Sequence, residues 1–312
     1  MLRLPHIRRA WVGPLLLSAL ALTTFVPAAA SSGPAAATPA TASPAATDCG
    51  PALKLDRKDF PNSPKIDNRF YPLVPGTQFV LSGVVLDDQN QPHPHQIVTT
   101  VTDLTKVVDG VRTLVVLDVD IQDGVTTEAE IFFVAQDSDG TVWTLGEYPE
   151  QYDGGTLTGA PSSWLSGVQH AHAGIAMQAK PRTGTRTYLQ GIAPKVDFKD
   201  CATVVQTGQN HICVPVKCYD NVLVIDEFAP LDPEGGHQLK YYAPGVGVVK
   251  VGAAGGVDPE TLSLTSVQRL CKSDLSHVRQ QALAEDARSF TVEPHVFKGA
   301  AHAQHTIDAK TC

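Results

Sequence analysis

Four histidines form two short pairs whose spacing could serve metal binding. His93 and His95 lie in the stretch QPHPHQ, and His170 and His172 lie in VQHAHAGI. On an extended strand, residues i and i+2 project to the same side about 6 to 7 Å apart, so each pair could direct two imidazole nitrogens at one ion. Both pairs together would suit copper, zinc or nickel. Chance is the competing interpretation, because a chain with eleven histidines is expected to contain about 0.4 such pairs.

Five further residues could line a ligand groove. Two are strand aromatics, one is a carboxylate between a glycine and a tyrosine at a strand end, and two are tyrosines before an Ala-Pro-Gly turn that could offer a hydroxyl group. They are Phe133, Trp143, Glu147, Tyr241 and Tyr242. The competing interpretation is structural, because strand aromatics usually belong to the core or cap a sheet edge.

Other patterns give no recognised catalytic site. The sequence contains no G-x-S-x-G elbow, H-E-x-x-H helix, phosphate-binding glycine loop or dinucleotide fingerprint. Asp137 and Asp139 before Gly140 superficially resemble a calcium loop, but the pattern is also that of a β-hairpin turn, which we favour. Asp226 and Glu227 are adjacent on a predicted strand, so they should face opposite sides and not act as a pair.

The first 48 residues predict export. A basic start, an apolar run and a small-residue stretch ending at Ala30 indicate a signal peptide over residues 1–30. Residues 31–48 form an Ala/Pro/Ser/Thr-rich stretch that predicts a disordered spacer. We expect a secreted or extracytoplasmic protein with no transmembrane segment. The formal net charge of -8 argues against a nucleic-acid partner, which would need a basic surface.

Six cysteines in an exported chain predict three disulfide bonds. We expect Cys271 to pair with Cys312, and Cys201 to pair with Cys213 or Cys218 across a turn. A metal site using both Cys213 and Cys218 is disfavoured, because on one continuous strand the two would face opposite sides.

Short runs of alternating apolar or β-branched residues, separated by Gly-containing turns, follow from position 76 onward. They predict a mainly β fold, a curved antiparallel meander of half-barrel or barrel-like shape, over residues 49–270. Residues 271–312 are expected to form a C-terminal helix and a tail that pack on or are tied to this domain. Leu275, Val278, Leu283 and Ala287 mark the expected buried face of the helix, and Ser273 its N-cap.

Three blocks of the sequence resemble an uncharacterised family of exported bacterial β-sheet proteins. They contain AQDSDGTVWTLGE, SSWLSGVQHAHAGIAMQ and KYYAPGVGVVK, and the similarity extends over residues 71–270. The resemblance implies a curved antiparallel sheet like that of lipoprotein carriers, and it implies no known reaction. Members usually have glycine and proline where this chain has His170 and Ala173, so the resemblance does not support a metal site.

Two functional hypotheses follow. The first is an exported, non-enzymatic binding protein, with no cofactor expected, that holds a small apolar or lipid-like ligand or an envelope partner. The alternative is a copper- or zinc-binding protein, or a metal-dependent hydrolase, that uses the two histidine pairs. The position of the pairs distinguishes them: neighbouring strands and one sheet face would favour metal, and separate positions would favour chance.

Overall fold

The computed structural model describes residues 49–312. The predicted signal peptide and spacer lie outside the described residues. Twelve strands form a closed antiparallel barrel, and a C-terminal helix packs on its outer surface. The predicted fold class, a mainly β antiparallel barrel-like meander with one C-terminal helix, is confirmed.

Strands occupy about half of the described residues and are joined mainly by tight turns. The barrel consists of β1 (Thr77–Leu86), β2 (Pro92–Val108), β3 (Val111–Gln122), β4 (Val125–Gln136), β5 (Val142–Asp153), β8 (His172–Met177), β9 (Tyr188–Ala193), β10 (Phe198–Gln209), β13 (Val222–Phe228), β14 (His237–Ala243), β15 (Gly247–Ala254) and β16 (Glu260–Arg269). The short strands are β6 (Thr156–Gly159), β7 (Trp164–Leu165), β11 (Ile212–Cys213), β12 (Cys218–Tyr219) and β17 (Gln304–His305). The helices are α1 (Lys272–Val292) and the single turn α2 (Pro294–Phe297).

Strand β1 closes the barrel. It pairs with β2 on one side and with β16 on the other, both antiparallel, so the first and last barrel strands are joined. At Gly83 the two end strands come very close, because a Cβ atom there would lie 1.9 Å from the carbonyl oxygen of Thr261. Closure therefore requires glycine at this position and removes the free edges that an open sheet would expose.

Alternation along each strand separates two cores. One core fills the apolar part of the barrel interior and includes Leu81, Ile97 and Phe132. The other lies between the outer face of the barrel and the C-terminal helices and includes Phe133 and Phe297. Successive side chains on a strand point to opposite faces, so the adjacent residues Phe132 and Phe133 belong to different cores.

Helix α1 packs on β2, β4 and β5 through a face that contains three of the four residues expected from the sequence. Leu275 is buried, and Val278 and Leu283 are partly buried against the outer core, whereas Ala287 is exposed. The residues of α1 that are fully buried are Leu275, Ala282, Glu285, Asp286 and Ser289, so the face also carries charged residues that an apolar pattern does not reveal. Cys271 rather than Ser273 occupies the N-cap position. Within residues 49–312, no helix is both long and apolar enough to cross a membrane.

Buried ion pairs join the helix to the barrel. The Nζ atom of Lys106 on β2 lies 2.6 Å from the Asp286 carboxylate on α1 and donates to the Ala301 carbonyl at 2.7 Å. Arg288 binds both carboxylate oxygens of Glu150 at 2.7 and 2.6 Å. Lys106, Asp286 and Glu150 are almost fully buried, so each charge depends on its partner.

The disulfide bonds agree with the sequence prediction in part. Cys271 pairs with Cys312, as expected, and ties the tail to the barrel. Cys201 pairs with Cys49, which is 152 residues away, and not with Cys213 or Cys218. Those two bond to each other across the β11–β12 hairpin, where they occupy directly opposite positions. The assumption of one continuous strand through both cysteines was therefore wrong.

We predict that Lys106→Met lowers the free energy of unfolding by ~3 kcal/mol, because buried Asp286 loses its closest cation and keeps only His302 at 3.2 Å and the Ala303 amide at 3.0 Å. The double variant Lys106→Met/Asp286→Asn should lose clearly less, since the buried charge is removed with its partner. Denaturant unfolding followed by circular dichroism measures both. Lys65→Met is the control, because its pair with Asp67 is exposed and should contribute less than about 1 kcal/mol. Equal losses in Lys106→Met and Lys65→Met would contradict the prediction.

Candidate functional site

A cavity lies inside the barrel and has two kinds of wall. Its volume is about 50 Å³. This corresponds to room for about four water molecules. The wall consists of Tyr71, Pro72, Leu73, Phe79, Leu81, Thr99, Asp118, Phe132, Ala176, Gln190, Glu227, Lys240, Tyr242, Val246, Gly247 and Val248.

The segment before β1 covers the apolar end of this cavity. The Asn68 side-chain amide donates to the carbonyl oxygens of Gly140 at 2.8 Å and Gln178 at 3.2 Å. The Gly245 amide donates to the Arg69 carbonyl at 2.7 Å. These acceptors and donors belong to turns at one end of the barrel, so the segment is held across that end and places Tyr71, Pro72 and Leu73 against the cavity.

The polar wall is organised around Glu227. Its carboxylate lies 2.6 Å from the Lys240 ammonium group and accepts hydrogen bonds of 3.1 Å from the Tyr242 hydroxyl and from the Gln190 amide. Tyr71 packs edge-on against the Tyr242 ring at a centroid distance of 6.2 Å. Lys240 is thus neutralised by an adjacent carboxylate and adds little net positive charge to the cavity.

Asp118 is the cavity carboxylate with an unused acceptor. It is 6% exposed, and its Oδ1 atom has no hydrogen-bond partner. Burial raises the pKa of Asp118, while a hydrogen bond from Thr99 and the charge of Lys240 act in the opposite direction. A buried polar atom without a partner costs free energy, so a ligand that donates to Oδ1 would recover that cost.

Asp118 belongs to a larger acidic wall inside the barrel. Each carboxylate in this wall either lies two or four residues from an apolar interior residue on its own strand or stands opposite such a residue on the neighbouring strand. Both kinds of position face inward. All are at most 7% exposed, and they are Asp118, Asp120, Glu128, Glu130, Glu147, Asp200, Glu227 and Glu260. Among the described residues, the buried cationic side chains that face the same interior are Lys240 and His95. Most of these acids lie toward the end of the barrel opposite the covering segment.

Burial and mutual repulsion raise the pKa values of several of these acids. The pKa of Glu147 rises to about 7, first because it is buried and then because Asp200 is negatively charged. The pKa values of Glu128 and Glu130 rise well above their ordinary value for the same reasons, with Asp120 or Glu147 as the neighbouring charge. Near neutral pH this wall therefore retains protons that exposed carboxylates would have lost.

His95 is held between two of the acids. Its Nε2 atom lies 2.9 Å from the Asp120 carboxylate, and its Nδ1 atom lies 3.3 Å from the Glu260 carboxylate. Burial opposes the charged imidazolium, but the two carboxylates outweigh it and raise the pKa of His95 to about 10. Asp120 has a pKa raised to about 6 by burial, against the effect of His95. The histidine thus acts as a buried cation that joins β2, β3 and β16.

The five residues predicted to line a groove divide between the two faces of the barrel. Tyr242 lines the cavity, and Glu147 faces the same interior. Tyr241 lies on the outer face, where the Lys250 ammonium group lies 5.2 Å from its ring centre. Phe133 belongs to the core beneath the helices, so the space between sheet and helix is filled rather than open.

Trp143 also lies outside the cavity, next to the turn that superficially resembled a calcium loop. Its ring packs edge-on against Phe60, and its Nε1 atom donates to Asp137 at 2.8 Å. The same carboxylate accepts from the backbone amides of Asp139 and Thr141. Asp137 therefore organises a β-hairpin turn, as we favoured from the sequence.

The two histidine pairs lie in separate places. His93 and His95 are on β2, while His170 is in a turn and His172 begins β8, four strands away. His93 contacts Asp123 at 2.8 Å and Asp87 at 3.3 Å, and both histidines of the second pair are exposed. By the criterion stated above, separate positions favour chance. Copper or zinc binding stays a prediction from the sequence.

One group in the described part of the chain brings three potential metal ligands within 4.8 Å of one another. It consists of His211, Cys213 and Cys218 on the exposed β11–β12 hairpin. Both sulfur atoms are engaged in the disulfide bond between the two cysteines, and a metal would require thiolates.

The sequence also contains a pattern that indicates the acidic wall and that has the same i, i+2 spacing as the histidine pairs. The runs VLDVDI and TEAEIF each place two carboxylates at i and i+2 on the same face as apolar residues that enter the interior core. These are Asp118 with Asp120 and Glu128 with Glu130, on neighbouring strands. Recognising them required knowing which face is enclosed, and that depends on closure of the barrel.

No family model matches the sequence, and the comparison with curated proteins gives no match. Two solved structures are similar to part of the fold. One is a protein from Bacteroides fragilis described as exported and as having a YmcC-like fold, with 13% identity over 65% of this chain and 100% of that chain and a TM-score of 0.37. The other is described as a lipoprotein from Parabacteroides distasonis, with 12% identity over 64% of this chain and 99% of that chain and a TM-score of 0.34. At this similarity they support no conclusion about function.

We predict that the protein becomes less stable as the pH rises from about 4.5 to about 7.5. Because the folded-state pKa values of Asp120 and Glu147 are raised, to about 6 and about 7, the folded protein holds protons that the unfolded chain releases. Their contribution to stability is fully present below the unfolded pKa values and is lost as the pH rises through the folded values.

Glu147→Gln removes one of these groups. The decrease in the free energy of unfolding across the same pH range should therefore be smaller by on the order of 2 kcal/mol. Denaturant unfolding at a series of pH values measures the effect. Asp139→Asn, on the exposed hairpin turn, is the matched control and should keep the slope of the original protein. A Glu147→Gln slope equal to that of the control would show that Glu147 is not a source of the pH dependence.

Proposed function

We propose that this is an exported binding protein that holds a small molecule with an apolar body inside its barrel. The observation that carries the proposal is the interior cavity, whose wall is apolar at the covered end and polar at the other. Ligand sites typically combine a mainly apolar lining with a few placed polar groups. Here the polar groups are Asp118, Gln190, Glu227, Lys240 and Tyr242.

The size of the cavity narrows the ligand class. A cavity of about 50 Å³ has room for about four water molecules. A short alkyl chain or a small ring would displace them. A long acyl chain needs several times that space. We therefore place the ligand among small molecules rather than membrane lipids, which refines the apolar or lipid-like ligand expected from the sequence.

Binding fits the lining better than catalysis does. The described residues that line the cavity include no serine, cysteine or histidine, so the common nucleophile and base pairs are not formed there. Two of its ionisable groups, Glu227 and Lys240, bind each other, which suits positioning of a polar group more than proton transfer.

Three disulfide bonds support the proposed location. All six cysteines are paired, and such bonds persist in oxidising environments outside the cytoplasm. Together with the predicted signal peptide, this favours a secreted or extracytoplasmic protein. An envelope partner that docks on the outer surface is the competing role, and the experiment below distinguishes it.

We predict that protein purified from its native host carries one predominant small molecule, which solvent extraction and mass spectrometry would identify. Ala176→Leu fills the cavity with a larger side chain and should reduce the amount recovered at least tenfold, because bound molecule and leucine would compete for the same space. Val205→Leu, on the exposed face of β10, is the control and should leave the amount unchanged.

Circular dichroism establishes that both variants are folded. Recovery of the same amount from all three proteins would place the molecule outside the cavity. Absence of any bound molecule, together with capture of an envelope protein, would favour the docking role instead.

A further inference from the structure

The charge around the cavity is unbalanced toward the negative. Glu227 and Lys240 form a pair at 2.6 Å, and Lys240 acts on Asp118 only through its charge, while the Oδ1 atom of Asp118 accepts no hydrogen bond. Asp118 also lies within electrostatic range of Glu128 and Glu130 on the neighbouring strand, and it raises the pKa values of both. A positive charge placed beside Asp118 would favour the ionised forms of these carboxyl groups and so interact favourably with several of them at once.

Aromatic rings surround the same space. Tyr71, Phe79, Phe132 and Tyr242 all line the cavity. The face of an aromatic ring attracts cations through its quadrupole, and the attraction grows when the cation is removed from water. The apolar wall is thus compatible with a positively charged nitrogen as well as with the hydrocarbon part of a ligand.

The arrangement of the carboxylates favours an organic cation over a metal ion. Calcium requires six to eight oxygen atoms at about 2.3 to 2.6 Å, so the ligand atoms must lie close to one another. In the described part of the chain, no three carboxylate oxygens of different residues converge within 4.8 Å. Acids spread along an elongated interior instead suit a larger cation that carries its own hydrogen-bond donors.

We infer that the cavity recognises a small amine, with its apolar body toward Phe79 and Leu81 and its ammonium group at Asp118. This inference rests on the proposed function and adds the chemical class of the ligand. An ammonium group has three N–H donors, which supply the partner that Asp118 Oδ1 lacks. A carboxylate ligand of the same size would be repelled by the acidic wall, and an alcohol would bring a donor without the charge.

The test compares three probes of equal chain length: hexylamine, hexan-1-ol and sodium hexanoate. Isothermal titration calorimetry at neutral pH with the purified full-length protein measures each dissociation constant. We expect hexylamine to bind at least tenfold more tightly than hexan-1-ol, and hexanoate to show no saturable binding. Calcium chloride serves as a fourth probe and should show no saturable binding either.

Asp118→Asn identifies the group responsible. It should bring the affinity for hexylamine down to that for hexan-1-ol. The substitution keeps the shape of the side chain and removes a buried carboxyl group whose Oδ1 atom has no partner, so the fold should stay intact. Asp226→Asn is the matched control, because Asp226 lies on the outer face of β13 beside the inward-facing Glu227, with His237 at 2.8 Å. It should retain the full preference for hexylamine.

The outcomes separate this inference from the proposed function. If hexylamine and hexan-1-ol bind equally and Ala176→Leu abolishes both, the cavity binds small molecules but the amine preference is overturned. If no probe shows saturable binding, the amine inference is overturned, and the extraction experiment decides the proposed function independently. Because the comparison of probes needs only the unmodified protein, it stays decisive even if Asp118→Asn does not fold.

Discussion

Closure of the barrel by β1 is the constraint on which the rest of the structure depends. Because β1 pairs with both β2 and β16, no barrel strand is left as an edge, and each strand acquires one enclosed face and one outer face. The close approach of the end strands at Gly83 shows how little space the closure leaves. Once the interior is enclosed, every inward polar group must find its partner there rather than in bulk water.

Buried charges are neutralised in different ways on the two faces of the barrel. Outside the barrel, the ion pairs of Lys106 with Asp286 and of Arg288 with Glu150 hold the C-terminal helix on the sheet. Inside, eight carboxylates face two cationic side chains, His95 and Lys240, and several acids meet the cost of burial by retaining a proton. These two outer ion pairs are consistent with a structural role, since each charge in them has its partner. Among the inner acids, Asp118 keeps an acceptor atom that no hydrogen bond reaches.

The sequence predicted the features that depend on neighbouring residues and missed those that depend on contacts between distant parts of the chain. Local alternation predicted the strands and the antiparallel barrel-like fold. The six cysteines of a chain expected to be exported predicted the disulfide bond between Cys271 and Cys312. Alternation could not reveal which face is enclosed, so Phe133 and Tyr241 were grouped with Tyr242 although they lie on the outer face. The pairing of Cys49 with Cys201 spans 152 residues and depends on tertiary structure. Leu275, Val278 and Leu283 were placed correctly on the packed face of the helix, but an apolar pattern could not reveal the buried Glu285 and Asp286 beside them.

Protons and cations are alternative ways of neutralising the same interior acids. A carboxyl group that keeps its proton at neutral pH, as the raised pKa of Glu147 implies, gives up that proton more readily when a positive charge arrives nearby. Cation binding and proton release in such an interior are therefore thermodynamically linked, as are any two events that change the same equilibrium. On the proposal made above, an empty barrel would be stabilised by its protons and an occupied one by its ligand. Retained protons in either case reduce the cost of enclosing carboxylates that have no cation of their own.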